Sequence, residues 1–357
     1  DLDSRAQADA FDHLGVARDV DVGTTYLRLS ASMIGAKAPA ALPLIVDMVR
    51  RPRLEESAIE PSRELCLQSL SALADHPEER AGLLLRERQL PAPLNRSGLG
   101  TREGLSAITR ADVVSHWGER ARPVGSILAV AGAVDPAALA RQLNELLKGW
   151  SGAAAPLRPS THLPARGTHH HEMDPSNQVH IFVGHDAPAE RDPDAALERV
   201  LAGVLSGGPS ARLFTECRER RSLCYSVSAS YAADKEFGRV VAYIGTTPDK
   251  AQQALDVLRS ELQRVTPGCG GEITEGEHQR AVVGVKSSLI FSGESTSARA
   301  AALASDMHRL GRPRPLTEIA ASIDAVTLAR LREYAQRRKI GAMTSVSLGP
   351  VALAPGV

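Results

Sequence analysis

Aromatic residues, net charge and long apolar runs are all scarce in this sequence. Aromatic side chains account for 3% of the 357 residues, and 42 Lys and Arg balance 42 Asp and Glu. So few rings argue against a platform for stacking bases, and a neutral chain has no overall attraction to nucleic acid or anionic lipid. No apolar run reaches the roughly 18 residues that a membrane-spanning helix needs. We therefore predict no nucleic-acid partner and no membrane span.

Cysteine is scarce as well. The four cysteines have no metal-type spacing, and in a chain of this length they neither require nor exclude disulfides. We interpret them as small hydrophobic residues buried in the fold. They are Cys66, Cys217, Cys224 and Cys269.

The hydrophobic patterning predicts an α+β chain of two related domains, each a mostly antiparallel sheet with helices packed on it. The stretch 151–166 is rich in Ala, Pro and Gly, which is typical of a linker, so the domains are predicted at 1–150 and 167–357. A repeat supports this division, because Ile108 and Ile323, 215 residues apart, are each followed by a helical segment and an apolar run. With that period, the first domain is expected to be truncated at its amino end.

Local signals place several elements within these domains. Thr109 and Asp112 form a Thr-x-x-Asp capping pattern, so a helix is predicted to begin there. Asp135 followed by Pro136 predicts the start of another helix. The apolar run 126–130 predicts a strand in the first domain, and 210–220 predicts a helix in the second.

The most specific string is Gly-Gly-Pro-Ser-Ala-Arg-Leu-Phe at 207–214, followed by Leu-Cys-Tyr-Ser-Val at 223–227. Arg212 lies in the first turn of the predicted helix, and Tyr225 begins a strand thirteen residues later. A helix followed by a reversal would bring the two side chains to one mouth of the sheet. A guanidinium and a phenol suit the carbonyls or a carboxylate of an extended peptide. The alternative is a surface arginine beside a strand tyrosine.

The same string resembles the carboxy-terminal signature of the M16 metallopeptidases, a family that includes the mitochondrial processing peptidases and their bacterial relatives. Arg-Glu-Gly-Leu-Ser-Ala-Ile-Thr at 102–109 is similar to its amino-domain counterpart. The resemblance extends over nearly the whole chain and implies the M16/LuxS-like metallohydrolase fold. It also implies that Arg212 and Tyr225 form a pair that holds substrate near a zinc site.

One part of the family pattern is missing from this sequence. M16 catalytic subunits share His-x-x-Glu-His, in which two histidines bind zinc and the glutamate activates water, and no such string occurs here. The position that matches the third ligand, a glutamate, is Ser69, and Ser62 matches a second acid. A neutral hydroxyl is a poor replacement for a carboxylate on zinc. If the alignment slips by a few residues, Glu60 or Glu64 becomes the candidate.

The resemblance therefore implies no catalytic and no metal-binding residue in this chain, with zinc in a partner. We expect a non-catalytic, substrate-binding subunit of a heterodimeric M16-type zinc metallopeptidase. Two alternatives stay open: a structural or assembly subunit like the core subunits of a respiratory complex, and an active zinc peptidase whose amino-terminal motif is missing from the sequence. A polar start without Met leaves the localisation open between the bacterial cytoplasm and the periplasm.

Other polar clusters are expected to have structural roles. The histidine run 169–171 is expected to be an exposed approach to a strand, because consecutive residues on an extended chain point to opposite sides. No partner is identifiable for His180 or His185. Arg218 belongs to a basic run, 218–221, that is interleaved with acids and is expected to form a solvated helix face.

Overall fold

The computed structural model describes residues 2–265, 270–338 and 340–355. Cys269 lies outside the described residues. The helices are α1 (Ser4–His13), α2 (Ala38–Arg50), α3 (Glu56–Ala72), α4 (Pro77–Gln89), α5 (Arg102–Ala107), α6 (Arg110–Arg120), α7 (Pro136–Leu146), α8 (Ala195–Ser206), α9 (Ala251–Arg264), α10 (Glu275–Glu294), α11 (Thr296–Leu310), α12 (Leu316–Asp324) and α13 (Leu328–Arg337). The strands are β1 (Ala17–Val22), β2 (Leu27–Ser32), β3 (His169–Met173), β4 (Val179–Ala187), β5 (Cys224–Ala233), β6 (Gly238–Thr246) and β7 (Thr344–Gly349). A π-helix spans Phe214–Glu219.

These elements divide into two compact units that alternate along the chain. The first unit comprises the described residues up to Ser71 together with Ser97–Arg158 and Ser295–Ala304. The second comprises Ala72–Arg96, the described part of Pro159–Glu294 and the described residues from Ser305 onward. The predicted domains at 1–150 and 167–357, with a linker at 151–166, rest on a sequence repeat rather than on contacts, and they stay a prediction.

The first unit consists of helices and one antiparallel hairpin, in which β1 and β2 pair from Ala17 opposite Ser32 to Val22 opposite Leu27. The predicted capping box is confirmed, because the Thr109 hydroxyl accepts from the backbone N–H of Asp112 and the Asp112 carboxylate accepts from that of Thr109. The strand predicted at 126–130 is wrong. This segment has no ladder partner among the described residues, and an isolated apolar run without one does not form a stable strand.

The second unit is built on a five-stranded sheet in the order β3-β7-β4-β6-β5, antiparallel except for the β3–β7 pair. One face of the sheet carries the main core, where Ile181 and Ile244 from the strands meet Leu201 of α8 and Leu255 of α9. The opposite face of β4 and β7 is covered by α4. Because both faces are packed, β4 is buried along nearly its whole length.

The repeat needs a correction of register. Thr109 caps α6 and Thr327 caps α13, and each threonine side chain accepts from the backbone N–H three residues later. These equivalent caps are 218 residues apart, rather than the 215 that the Ile108 and Ile323 alignment gives. The two helix starts therefore correspond, with a shift of three residues.

Candidate active-site region

Arg212 is buried, with 9% of its surface exposed, at the start of the helical segment that leads into the π-helix. Its Nε donates to Glu277 Oε1 at 2.6 Å and its Nη2 to Glu277 Oε2 at 3.0 Å, so the carboxylate is held at both oxygens. Nη1 donates to the carbonyl oxygen of Gly271 at 2.7 Å, and Nη2 also donates to that of Glu272 at 2.9 Å. All three guanidinium nitrogens are therefore engaged inside the chain.

The ion pair changes the titration of Glu277, one of two acids in the first turn of α10. Burial alone would raise the pKa of this carboxyl, but hydrogen bonds from Arg212 and from the backbone N–H of Thr274 outweigh burial and lower the pKa from 4.5 to about 2. The carboxylate is thus charged at neutral pH. Arg212, Glu277 and the 271–272 carbonyls form a buried anchor, which we call the Arg212 anchor.

Tyr225 has the opposite environment, since 83% of its surface is exposed. In the β5–β6 ladder, Cys224 lies opposite Thr246 and Ser226 lies opposite Gly245, so Tyr225 is the extra residue of a β-bulge. A bulge shifts the alternation of side chains by one residue and re-aims the inserted side chain. Cys224 and Val227 therefore pack on the core, while Tyr225 points to solvent.

The segment before Tyr225 holds two further backbone irregularities. Residues 214–219 form a π-helix rather than the predicted α-helix. Ser222 then has φ of 50°, a left-handed conformation that is uncommon for residues other than glycine. Single-turn π-helices and strained residues cluster at functional sites in proteins, where they place particular side chains. Here both lie between Arg212 and Tyr225.

Arg218 is the side chain that this irregular segment brings to Tyr225. Its guanidinium carbon lies 5.1 Å from the centre of the Tyr225 ring and 4.8 Å from the centre of the Phe214 ring. Cation–π contacts of this kind hold the guanidinium over the rings. Within the described residues, the Arg218 side chain makes no hydrogen bond and no ion pair, so its donors are open to a ligand.

The expected solvated face at 218–221 therefore holds for some of these arginines and not for others. Arg220 and Arg221 pair with Glu216, as expected for charges on a helix surface, whereas Arg218 is held by two rings. The prediction for Arg218 missed these contacts. The residue pattern of 214–219 does not predict a π-helix. The one available signal was that Arg218 lies closer than Arg212 to Tyr225 in the sequence, across a single turn.

The predicted meeting of Arg212 and Tyr225 is not seen, because the hydrogen bonds of Arg212 go to Glu277, Gly271 and Glu272 and the ring contact of Tyr225 is with Arg218. That Arg212 and Tyr225 bind substrate stays a prediction. The geometry favours Tyr225 with Arg218, since these two side chains are accessible together.

β5 adds an open backbone edge to this pair. It is the last strand of its sheet and pairs only with β6 among the described strands. Edge strands present unpaired N–H and C=O groups that accept an added strand. Beside its bulged end lies a pocket of about 270 Å³ that is lined by Ser206, Gly208, Pro209, Phe214 and Val227.

The histidines have protein partners. The run 169–171 is not an exposed approach but strand β3 itself, half-buried, with His169 and His171 hydrogen-bonded to Ser345 and Ser347 of β7. His180, for which no partner was identifiable, shares a hydrogen bond of 3.0 Å with the Tyr243 hydroxyl. His185 is fully buried against Arg338, and burial lowers its pKa to about 4.

Three cysteines are described, and all are free thiols. Cys217 is buried, and burial raises its pKa to about 12, so it is unreactive at neutral pH. Cys224 is half-buried against the core, whereas Cys66 is exposed. The interpretation as buried residues is therefore wrong for Cys66, which is exposed on α3.

The residues that match the family's zinc ligand do not fit a metal. Ser69 is exposed on α3, and its hydroxyl donates to the carbonyl oxygen of Leu65 one turn earlier. Glu60, the candidate if the alignment slips, pairs with Arg63, and Glu64 lies exposed on the same helix. No group of three or more His, Cys, Asp or Glu side chains in the described part of the chain is arranged to hold a metal ion. No chemical step is therefore assigned to a metal on these residues.

Known proteins give a consistent match to this architecture. The family model described as the Peptidase M16 inactive domain matches residues 107–283. Over this segment the chain is similar to the M16 peptidase family. An uncharacterized zinc protease of Mycobacterium tuberculosis is 26% identical over 360 residues, covering 96% of this chain and 79% of that protein. The uncharacterized zinc protease YmxG of Bacillus subtilis is 24% identical over 345 residues, covering 94% and 81%.

Solved structures support the M16 fold. The Peptidase M16 inactive domain of Pseudomonas fluorescens superimposes with a TM-score of 0.82 at 18% identity, covering all of this chain and 86% of that one. A chain of complex III2 from Candida albicans gives a TM-score of 0.81 at 16% identity, covering 96% and 86%. At these identities the likeness shows the fold alone. In the described part of the chain, no helix is both long enough and apolar enough to span a membrane.

Proposed function

We propose that this chain is the peptide-binding, non-catalytic subunit of a heterodimeric M16-type zinc peptidase. In this proposal an extended peptide lies along the β5 edge, where Arg218 and Tyr225 hold it, and a zinc-bearing partner cleaves it. The observation that carries the proposal is the open Arg218–Tyr225 pair at the bulged end of an unpaired edge strand. The proposal places zinc in the partner, since no group of three or more His, Cys, Asp or Glu side chains among the described residues is arranged to hold a metal ion.

The edge provides the general part of the binding. A peptide that adds to β5 pairs its main chain with the free N–H and C=O groups of the strand, which makes the interaction independent of most side chains. Exposed residues alternate along β5 from Ser226 to Ala232, so no bulky core residue blocks its outward face. Such pairing fixes the register of the peptide, and fixed register contributes to rate through orientation.

The Arg218–Tyr225 pair provides the anchoring point. The Arg218 guanidinium donates to peptide carbonyl oxygens, and the Tyr225 hydroxyl adds one more donor. Because the rings of Phe214 and Tyr225 already hold the guanidinium, little side-chain freedom is lost when the peptide binds. The Arg212 anchor stabilises the fold, and in this proposal it makes no contact with the peptide.

The proposal is tested by cleavage in the assembled pair, co-purified from the native source. Arg218→Ala should lower kcat/KM for an extended peptide by about 10- to 100-fold, the range for loss of hydrogen bonds from a charged donor. The matched control is Arg220→Ala, an arginine two residues away whose side chain is 65% exposed and, within the described residues, has Glu216 as its ion-pair partner. Arg220→Ala should leave cleavage unchanged. The zinc content of the assembled pair should be the same with either variant.

Two results would contradict the proposal. Unchanged cleavage with Arg218→Ala would remove its basis and would favour a structural subunit, a function that the fold shared with complex III2 also allows. One zinc per chain bound by this subunit alone would instead favour a complete peptidase.

A further inference from the structure

A second cavity lies on the sheet face opposite the main core, between α4 and strands β4 and β6. It is a trough of about 730 Å³ lined by Phe182 of β4 and by residues of α4, where Gly82 lies against the outer end of the Phe182 ring. The residues that line it include acids from the first turn of α4, Glu78 and Glu79, and two arginines, Arg86 and Arg239. The cavity therefore has charges of both signs, and the positions of these charges along the cavity decide which ligand fits.

The acids and the arginines are at opposite ends. On α4, Glu78 and Arg86 are eight residues apart, which is about 12 Å along the helix axis. On β6, Tyr243 and Arg239 are four residues apart, which is about 13 Å along the strand. Two pKa shifts indicate which ends of α4 and β6 lie together. Burial raises the pKa of Tyr243 and Glu78 raises it further, whereas burial lowers the pKa of Arg239 and Arg86 lowers it further. Glu78 therefore lies toward Tyr243, and Arg86 lies toward Arg239.

Arg239 has no partner inside the described part of the chain. The acid directly opposite it in the β4–β6 ladder is Asp186, and both oxygens of Asp186 accept from Arg166, at 3.0 and 3.1 Å. Arg239 is instead half-buried beside a second guanidinium, where two like charges repel. An anion at this end would relieve that repulsion.

Glu79 is similarly open at the other end. It lies exposed in the first turn of α4 and makes no ion pair within the described residues, while Glu78, also exposed, adds to the raised pKa of Tyr243. A cation bound here would meet two carboxylates and the Phe182 ring. The trough thus presents acceptors at one end and donors at the other.

We propose that this trough binds a short zwitterionic peptide, with its amino group at Glu78 and Glu79 and its carboxylate at Arg239 and Arg86. The size fits two residues: an extended dipeptide spans about 7 Å, and a charge-assisted hydrogen bond of about 2.8 Å at each end brings the total to about 12 to 13 Å. This site is separate from the β5 edge, and it does not depend on the function proposed above.

The test uses the full chain and unblocked dialanine, with affinity measured by calorimetry or by NMR titration. N-acetyl-dialanine and dialanine amide should each bind about tenfold more weakly, because each loses one charged contact. Arg239→Gln should weaken dialanine about tenfold and leave the amide unchanged, while Glu79→Gln should weaken dialanine and leave the acetylated form unchanged. Arg218→Ala, at the β5 edge, should change none of these affinities.

Several outcomes would overturn the proposal. If inorganic phosphate displaces dialanine and the acetylated form binds as well as the free one, the trough is an oxyanion site only. If Glu79→Gln, an exposed substitution that leaves folding intact, has no effect on dialanine, the amino end is not bound there. Equal binding of all three peptides would mean that neither charged end is recognised.

Discussion

Arg212 and Arg218 lie six residues apart on one helical segment, yet their surroundings are opposite. Arg212 is buried and donates hydrogen bonds to Glu277 and to two backbone carbonyls. Arg218 lies between two rings with its donors open. The motif that makes Arg212 conspicuous in the sequence thus leads to a structural anchor, and the accessible arginine is the less conspicuous one.

The largest expected effect is on stability at Arg212. Arg212→Ala should lower the free energy of unfolding by about 3 kcal/mol, because it leaves the Glu277 carboxylate buried without its partner. Urea unfolding at neutral pH measures this change. The control is the double variant Arg212→Met with Glu277→Leu, which should recover much of the loss. A loss below about 1 kcal/mol for Arg212→Ala, the range of an exposed pair, would contradict the anchor.

Sequence reasoning recovers the fold class, the capping box at Thr109 and the family, because these depend on local patterns. It misses α4, in which Ala81 and Leu85 are the buried apolar residues and charged residues occupy both ends. It also misses β3, since His-His-His-Glu-Met has none of the residues that favour strands. Both depend on tertiary contacts, since α4 packs against β4 and β7 of the five-stranded sheet and β3 pairs with β7 as a strand of that sheet.

The candidate site is predicted only in part, for a similar reason. Tyr225 follows from the string at 223–227, but Arg218 depends on a π-helix, a left-handed serine and a bulge in succession. None of these has a periodicity that sequence analysis detects. Cys217, within the π-helix, and Leu223, beside Ser222, are both buried in the core.

The second effect is a pH dependence of stability that comes from the Arg212 anchor. The pKa of Glu277 is lowered in the folded chain, so its contribution to stability is full above about pH 5 and is lost as pH falls from 4.5 toward about 2. Unfolding of the natural chain and of Glu277→Gln should therefore differ most at neutral pH and converge near pH 2. A difference that persists at pH 2 would show that the carboxylate is not the cause.

A smaller effect is expected at Tyr225. Tyr225→Phe keeps the ring under Arg218 but removes the hydroxyl, so kcat/KM of the assembled pair should fall by about fivefold, the value of one neutral hydrogen bond. Tyr225→Ala also removes the ring and should lower it further. Since 83% of the Tyr225 surface is exposed, neither substitution should change Tm. Equal cleavage by Tyr225→Ala and the natural chain would exclude Tyr225 from binding.

The smallest effect is expected at Ser222, whose φ of 50° costs a non-glycine residue strain. Ser222→Gly should stabilise the chain by no more than about 1 kcal/mol, because relief of strain is partly offset by the greater freedom of glycine when unfolded. Ser222→Val, which tolerates this φ poorly, should lower both Tm and cleavage. Identical Tm values for the two variants would mean that the turn is not strained.

The central claim is that Arg218, and not Arg212, is the arginine that binds peptide. The most direct measurement is the Kd of an extended peptide for the assembled pair, with zinc removed from the partner so that the peptide stays intact. Arg218→Ala should raise Kd at least about tenfold at unchanged Tm. Arg212→Lys, which keeps the charge but loses the planar fork, should lower Tm and leave Kd within about twofold. A raised Kd with Arg212→Lys and an unchanged Kd with Arg218→Ala would contradict the account.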